Sequence, residues 1–222
     1  TTVYTPTAWE TQPMTVEEHD DKHLTKRTKR TEELRRRILD ESMKLFFEQG
    51  FEKTTTRQIL DRVGILNGSL YNIYRSKEEI FSDIVMEVLR DAQRQTPDYV
   101  DEDIPACLQL GFLLNVQLYF AARSERIAEL LTIAYSRWDI HQRVVVALTE
   151  WLSKIDTEKD LDTGSKDFIL KLEACIALAG TYIERIYHEP DTMDPLDAMP
   201  IVINTVSNIM GLDFQVERWH IE

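Results

Sequence analysis

Cysteine is scarce in this 222-residue chain: there are two, Cys107 and Cys175, each inside an apolar run and without CxxC spacing. That excludes a disulfide-rich scaffold and a cysteine-ligated zinc module. Two buried free thiols in a reducing compartment are the simplest reading, a disulfide between them the alternative. Histidine is nearly as sparse. Of His19, His23, His141, His188 and His220, only His19 and His23 stand four apart, on an acidic stretch with no period, so neither a metal site nor a catalytic residue is expected. No run approaches twenty apolar residues, and no charged-then-apolar signal opens the chain, so the expectation is a cytoplasmic protein without a membrane span. Sequences of the forms GxxxxGK[ST], GxGxxG and GxSxG are missing. Asp160, Asp162, Gly164 and Asp167 do not fit a twelve-residue calcium loop and read as a polar turn. No cofactor is expected. An enzyme built in a helical bundle would need clustered carboxylates and histidines on facing helices, and the sequence offers no such set.

Positive charge is also lacking overall, with a formal net charge of -13 that argues against binding a polyanion. Its distribution reverses the inference. Residues 1–21 hold five acids and no Lys or Arg, and residues 82–222 hold twelve basic against twenty-five acidic side chains. Residues 22–81, however, carry fourteen basic and nine acidic ones.

Within that positive segment lies TTTRQILDRVGILNGSLYNIYRSKEEIF, from Thr54 to Phe81, where two helical patterns meet at Gly64. Ile59 and Val63 stand four apart, Leu70 and Ile73 three apart, and Ile65 plugs the corner, as in a helix-turn-helix. Thr55 with Gln58 has the form of a capping box, Asn67 is placed to cap the second helix, and Ser76 with Glu79 repeats the box to begin a third. With Leu70, Ile73 and Tyr74 turned inward, the outer face carries Asn67, Gly68, Ser69, Tyr71, Asn72 and Arg75, residue types suited to base edges and phosphates. An ordinary helical corner with a solvated polar face has the same pattern.

Ile38-Leu39, Leu45-Phe46, Gly50-Phe51, Thr54-Thr55, Ile59, Gly64, Gly68, Leu70-Tyr71, Tyr74 and Ser76-Lys77-Glu78 together resemble the DNA-binding head of the tetracycline-repressor (TetR) family. The resemblance covers about a fifth of the chain. It implies double-stranded DNA with a palindromic operator as partner, and a DNA-binding set of Thr55, Thr56, Arg57, Asn67, Gly68, Ser69, Tyr71, Asn72, Tyr74 and Lys77. In that set Thr56 and Lys77 meet phosphates from helix N-termini, and the stretch from Asn67 to Asn72 faces the major groove. Leu60, Leu66 and Ile73 depart from the family pattern: a small residue, a small polar residue and a histidine are more common there.

Upstream, residues 1–30 read as a flexible extension. Its basic run Lys26, Arg27, Lys29 and Arg30 is either a DNA-reaching arm or a solvated cluster. Thr31 is expected to cap a supporting helix with Leu34, Ile38, Leu45 and Phe46 inward and small Ser42 at a close approach, ended by Gly50. The expected organisation is thus all-α, with a three-helix DNA-binding head over residues 31–80 and an effector-binding and dimerisation domain over residues 81–222.

Past Phe81 the third helix of this pattern runs on toward Gln95, and the resemblance makes it the lever between body and heads. Five further helical segments are expected, near residues 104–122, 125–138, 141–154, 165–188 and 195–211. Ala174, Ala177, Ala179, Gly180, Ile201, Val202, Val206 and Ile209 give the last two closely packing faces, which in the family pair with a second copy; a single intramolecular bundle is the alternative. Phe112, Asn115, Tyr119, Tyr135, Trp138 and Trp151 are the candidate lining of a pocket for a small apolar or aromatic effector, or else plain core. The expected function is a repressor released from its operator by that effector; control by a protein partner is the alternative.

Overall fold

The computed structural model describes residues 26–101, 104–156 and 161–212. Residues 1–25, with His19 and His23, lie outside the described set, as do Asp160 and residues 213–222 with His220. Among the described residues nine α-helices and no strand occur, as the all-α expectation required. They are α1 (Lys26–Gln49), α2 (Thr56–Val63), α3 (Asn67–Tyr71), α4 (Lys77–Gln95), α5 (Ala106–Arg123), α6 (Glu125–Ser136), α7 (Trp138–Ile155), α8 (Lys166–His188) and α9 (Pro195–Met210). None of them is long and apolar enough to cross a membrane.

The chain divides into two units, Thr1–Arg36 and Arg37–Glu222. What is described of the first is the opening of α1, where residues 28–33 are exposed. Two expectations are corrected here. Thr31 lies inside α1 instead of starting it, and Lys26–Arg30, expected to belong to the extension, form the first turns of that helix. Lys and Arg are good helix formers, and no Gly or Pro interrupts KRTKRTEELRRR. The expected boundaries at 30/31 and 80/81 therefore fall inside α1 and α4.

In the second unit, α2, α3 and the start of α4 close on α1 over a core of Ile38, Phe46, Phe51, Ile59, Val63, Leu70, Ile80 and Phe81, each at most 3% exposed. Three rings form its centre, with Phe46 5.2 Å from Phe51 and 5.7 Å from Phe81, and Phe51 4.8 Å from Phe81 between centroids. Ser42 is fully buried, as a small residue at a close helix approach should be. Gly64 ends α2 in the left-handed region (φ 73°), and its N–H donates to Leu60 O at 2.9 Å. A Cβ there would meet nothing within 4 Å, so Gly64→Ala isolates the backbone cost. It is expected to lower the stability of the head by about 1–2 kcal/mol, read from denaturant midpoints; an unchanged midpoint would refute the strained turn.

The body is built around α5, whose Leu110, Leu114 and Leu118 are at most 2% exposed. Val145, Leu148 and Leu152 of α7, Leu172, Ile176 and Ile183 of α8, and Val202 and Val206 of α9 complete the same core. Cys107 and Cys175 are buried and unbridged, and burial pushes the Cys175 thiol up to about 12. It therefore stays protonated and unreactive. Helix α9 starts at Pro195, as the expected segment did, with Asp194 accepting from Leu196 N at 2.9 Å, and Pro200 lies inside it. Trp138 opens α7; the expected segment had placed it at the end of α6.

Candidate nucleic-acid interface

The expected reading strip is carried by two short helices joined through the left-handed Gly64. Helix α2 is started by a complete capping box: Thr55 Oγ1 accepts from Gln58 N, and Gln58 Oε1 accepts from Thr55 N at 2.8 Å. Helix α3 starts differently from expectation. Leu66, in extended conformation and without a side-chain cap, precedes it, while Asn67 is its first residue. Asn67 thereby keeps its amide for other partners. At α4, Ser76 Oγ accepts from Glu79 N, but the reciprocal arm lands one residue earlier, Glu79 Oε2 accepting from Arg75 N at 2.6 Å. The second box is therefore shifted, and it ties the turn after α3 to the start of α4.

Because Leu70 is 1% exposed, the opposite side of α3 is outward: Leu66 is 82% and Tyr71 53% exposed, and Asn67, Gly68 and Asn72 are exposed beside them. Thr55 and Arg57 are also exposed, while Thr56 and Ser69 are half-buried. Arg62 is engaged within the head, pairing both guanidinium nitrogens with Glu48 at 3.2 and 2.5 Å and holding that carboxyl below its ordinary range.

Two members of the expected DNA-binding set are turned the other way. Tyr74 is 2% exposed, its N–H donates to Leu70 O at 2.8 Å, and its phenol donates to Asp83 Oδ2 at 3.0 Å. It belongs to the head's interior, since a phenol with a carboxylate partner inside the fold has no need of a phosphate outside. The Lys77 ammonium donates to Phe51 O at 2.7 Å and lies 4.1 Å from the Phe51 ring centroid. Its charge is drawn to a carbonyl just past the C-terminal end of α1, leaving only its backbone amide, at the start of α4, for the phosphate role.

Links between head and body were not legible in the sequence. Arg143 of α7 donates to Ser82 Oγ at 2.6 Å and to Asp83 Oδ1 at 2.8 Å, and Arg126 of α6 donates to Phe47 O at 3.2 Å. The available signal was Ser82-Asp83, two polar residues inside the apolar pattern of α4.

The expected effector set is not brought to one place. Tyr135 donates to Gln117 Oε1 at 3.0 Å and packs its ring on Gly180, where a Cβ would stand 2.6 Å from Tyr135 Cδ1. Nearby on α5, Asn115 is 7% exposed and donates to Met199 O at 3.1 Å, while its Oδ1 is buried without a hydrogen-bond partner. Phe112 stacks on Tyr99, and Trp151 lines an open cleft of about 410 Å³ with Glu87, Arg90 and Arg94. Trp138 (71% exposed) stacks on His141 at the surface, and Tyr119 (38% exposed) lies under the Arg123 guanidinium, so neither lines an interior pocket.

Residues 38–84 match the model of a family described as "Bacterial regulatory proteins, tetR family". The chain is 28% identical over 155 residues to the HTH-type transcriptional repressor KstR2 of Rhodococcus jostii, covering 67% of this chain and 74% of that one. It is 44% identical over 54 residues to KstR2 of Mycolicibacterium smegmatis, 24% of each chain. Thermus thermophilus FadR, a TetR-family transcriptional repressor solved in complex with lauroyl-CoA, shares the fold with a TM-score of 0.59 and 17% identity over 82% of this chain and 96% of its own. On an all-helical body, residues 38–84 thus form a helix-turn-helix head that is the segment matched by the tetR family of bacterial regulatory proteins.

Proposed function

We propose that this DNA-binding regulator is a repressor that holds a palindromic operator as a homodimer and releases it when a small apolar or aromatic effector enters the body. Residues 31–80 read DNA and residues 81–222 sense and dimerise. It is a regulator and not an enzyme. The observation that carries the DNA reading is the outward strip Asn67, Gly68, Tyr71 and Asn72, held by a buried Leu70 on a positively charged segment of an acidic chain. Asn pairs with adenine edges, an aromatic ring packs on sugar or thymine methyl, and glycine admits close backbone approach.

Dimerisation is supported by an unbroken stripe on α8, where Leu170, Ala174, Ala177 and Thr181 are all exposed at helical spacing, beside Ile201 of α9 at 48% exposure. A large apolar side chain flanked by small ones suits close helix packing across a two-fold axis. The effector reading is supported by Asn115 alone of the expected set, whose buried, unpartnered Oδ1 is an acceptor for a ligand donor. The FadR of the same fold is solved in complex with lauroyl-CoA, a ligand whose acyl chain is apolar. Release follows by linkage: the effector favours a body whose two reading helices no longer stand about 34–36 Å apart.

Selection of a duplex from a random pool tests the reading. A palindromic consensus bound by two chains is expected; enrichment of no duplex would refute it. Leu170→Glu with Ile201→Glu is expected to shift sedimentation from dimer to monomer and weaken the selected duplex more than about tenfold, since the like charges meet across the axis. Dimers of unchanged strength would relocate the interface. Control by a protein partner is a second reading, favoured by the exposed Trp138 on His141. A ligand that raises the melting temperature and frees the duplex decides for the effector.

A further inference from the structure

Resting on the DNA-reading assignment above, we infer that Arg143 of α7 is a positioning residue for the recognition helix, acting through Asp83 and Tyr74. The link begins at the end of α3. Through its N–H to Leu70 O at 2.8 Å, Tyr74 belongs mechanically to the last turn of the helix that carries Asn67–Asn72, and its ring is 2% exposed. Its phenol reaches across to Asp83 on α4 and donates to Oδ2 at 3.0 Å. The other oxygen of the same carboxylate, Oδ1, accepts from Arg143 Nη2 at 2.8 Å, and Arg143 Nη1 donates to Ser82 Oγ at 2.6 Å. Ser82 is 3% exposed and the Asp83 side chain 12%, so the acceptor side of the link is shielded, while the Arg143 side chain remains 39% exposed.

The geometry is that of a clamp with one shared jaw. A planar guanidinium held at two points has one orientation, and a carboxylate gripped on both oxygens has one rotamer. Sliding α7 along α4 by about the difference between a hydrogen bond and a broken one must therefore cut the link or draw the end of α3 with it. A second tie, Gln93 Nε2 to Ala147 O at 3.4 Å, holds α4 to α7 farther along and leaves the clamp as the connection that reaches α3. None of the three clamp side chains belongs to the outward strip, so removing a hydroxyl or a guanidinium deletes no base contact and alters only where the strip sits.

The test uses the full-length protein and the duplex that the wild type enriches from a random pool, with affinity read by fluorescence anisotropy at a temperature where circular dichroism shows each variant folded. Tyr74→Phe and Arg143→Met are each expected to weaken the selected duplex on the order of tenfold while changing affinity for a scrambled duplex less than about twofold. The double variant is expected to be no weaker than the weaker single one, because either cut opens the same link. Arg143→Lys, which retains one cationic donor for Asp83, is expected to recover part of the loss. A merely structural role would lower the melting temperature, leave the affinity ratio of selected to scrambled duplex unchanged, and combine additively. Wild-type affinity in Arg143→Met, or additive losses in the double variant, would overturn the clamp and leave the DNA reading intact; failure of the wild type to enrich any duplex would overturn both.

Discussion

Replacing Tyr71 and Asn72 together by alanine is expected to lower affinity for the selected operator by at least about a hundredfold, since each good base-edge contact contributes about 1–3 kcal/mol of discrimination. Binding to unrelated duplex is expected to persist, because the proposed phosphate contacts, from Arg57, Thr55 and the helix N-termini, are left unchanged. The fold should also persist. Tyr71 is 53% exposed and Asn72 lies exposed at the C-terminal cap of α3, where its backbone N–H, retained in alanine, donates to Gly68 O at 3.2 Å. Competition titrations of selected against scrambled duplex, with melting curves alongside, give the two numbers needed. Discrimination at the wild-type level would show that sequence is read elsewhere, with the exposed Leu66 the next residue to examine.

Phe46→Ala is expected to act on the other side of the same head, by removing its floor. Phe46 is 1% exposed and touches both Phe51 and Phe81, so alanine leaves a cavity bounded by two rings that cannot collapse without moving the ends of α1 and α4. The expected loss is about 3–5 kcal/mol, comparable with the whole stability of a small domain, and DNA binding of every kind should disappear with it. Denaturant unfolding checks this. A loss below about 1 kcal/mol would mean that the aromatic cluster does not hold the head together.

The two variants differ in how far their effects were foreseeable. Tyr71 and Asn72 sit in a segment rich in local signals: a capping box at Thr55 and Gln58, a glycine at the bend and apolar residues three and four apart. Their outward position could be read by counting from Leu70. Tyr74 was read two ways, inward with Leu70 and Ile73 by periodicity and toward DNA by resemblance; it is buried, and its phenol is held by the carboxylate that α4 brings up. Lys77 is similar: its phosphate role was what the resemblance implied, and the carbonyl of Phe51, 26 residues earlier, captures its ammonium. In the body, aromatic content alone suggested a pocket lining. Whether Trp138 and Tyr119 face a cavity or solvent depends on the angles between α5, α6 and α7, which periodicity does not contain.

By itself, the sequence determined what is local: the helices, the turn at Gly64, the inward stripe and the concentration of positive charge on residues 22–81. Such features depend on neighbours three or four residues away, and their energetics are complete within one or two turns. Tertiary structure alone decided which polar side chains serve the interior. Arg143 and Asp83 are 60 residues apart, and their pairing exists only because packing of the apolar faces of α4 and α7 sets the two helices side by side.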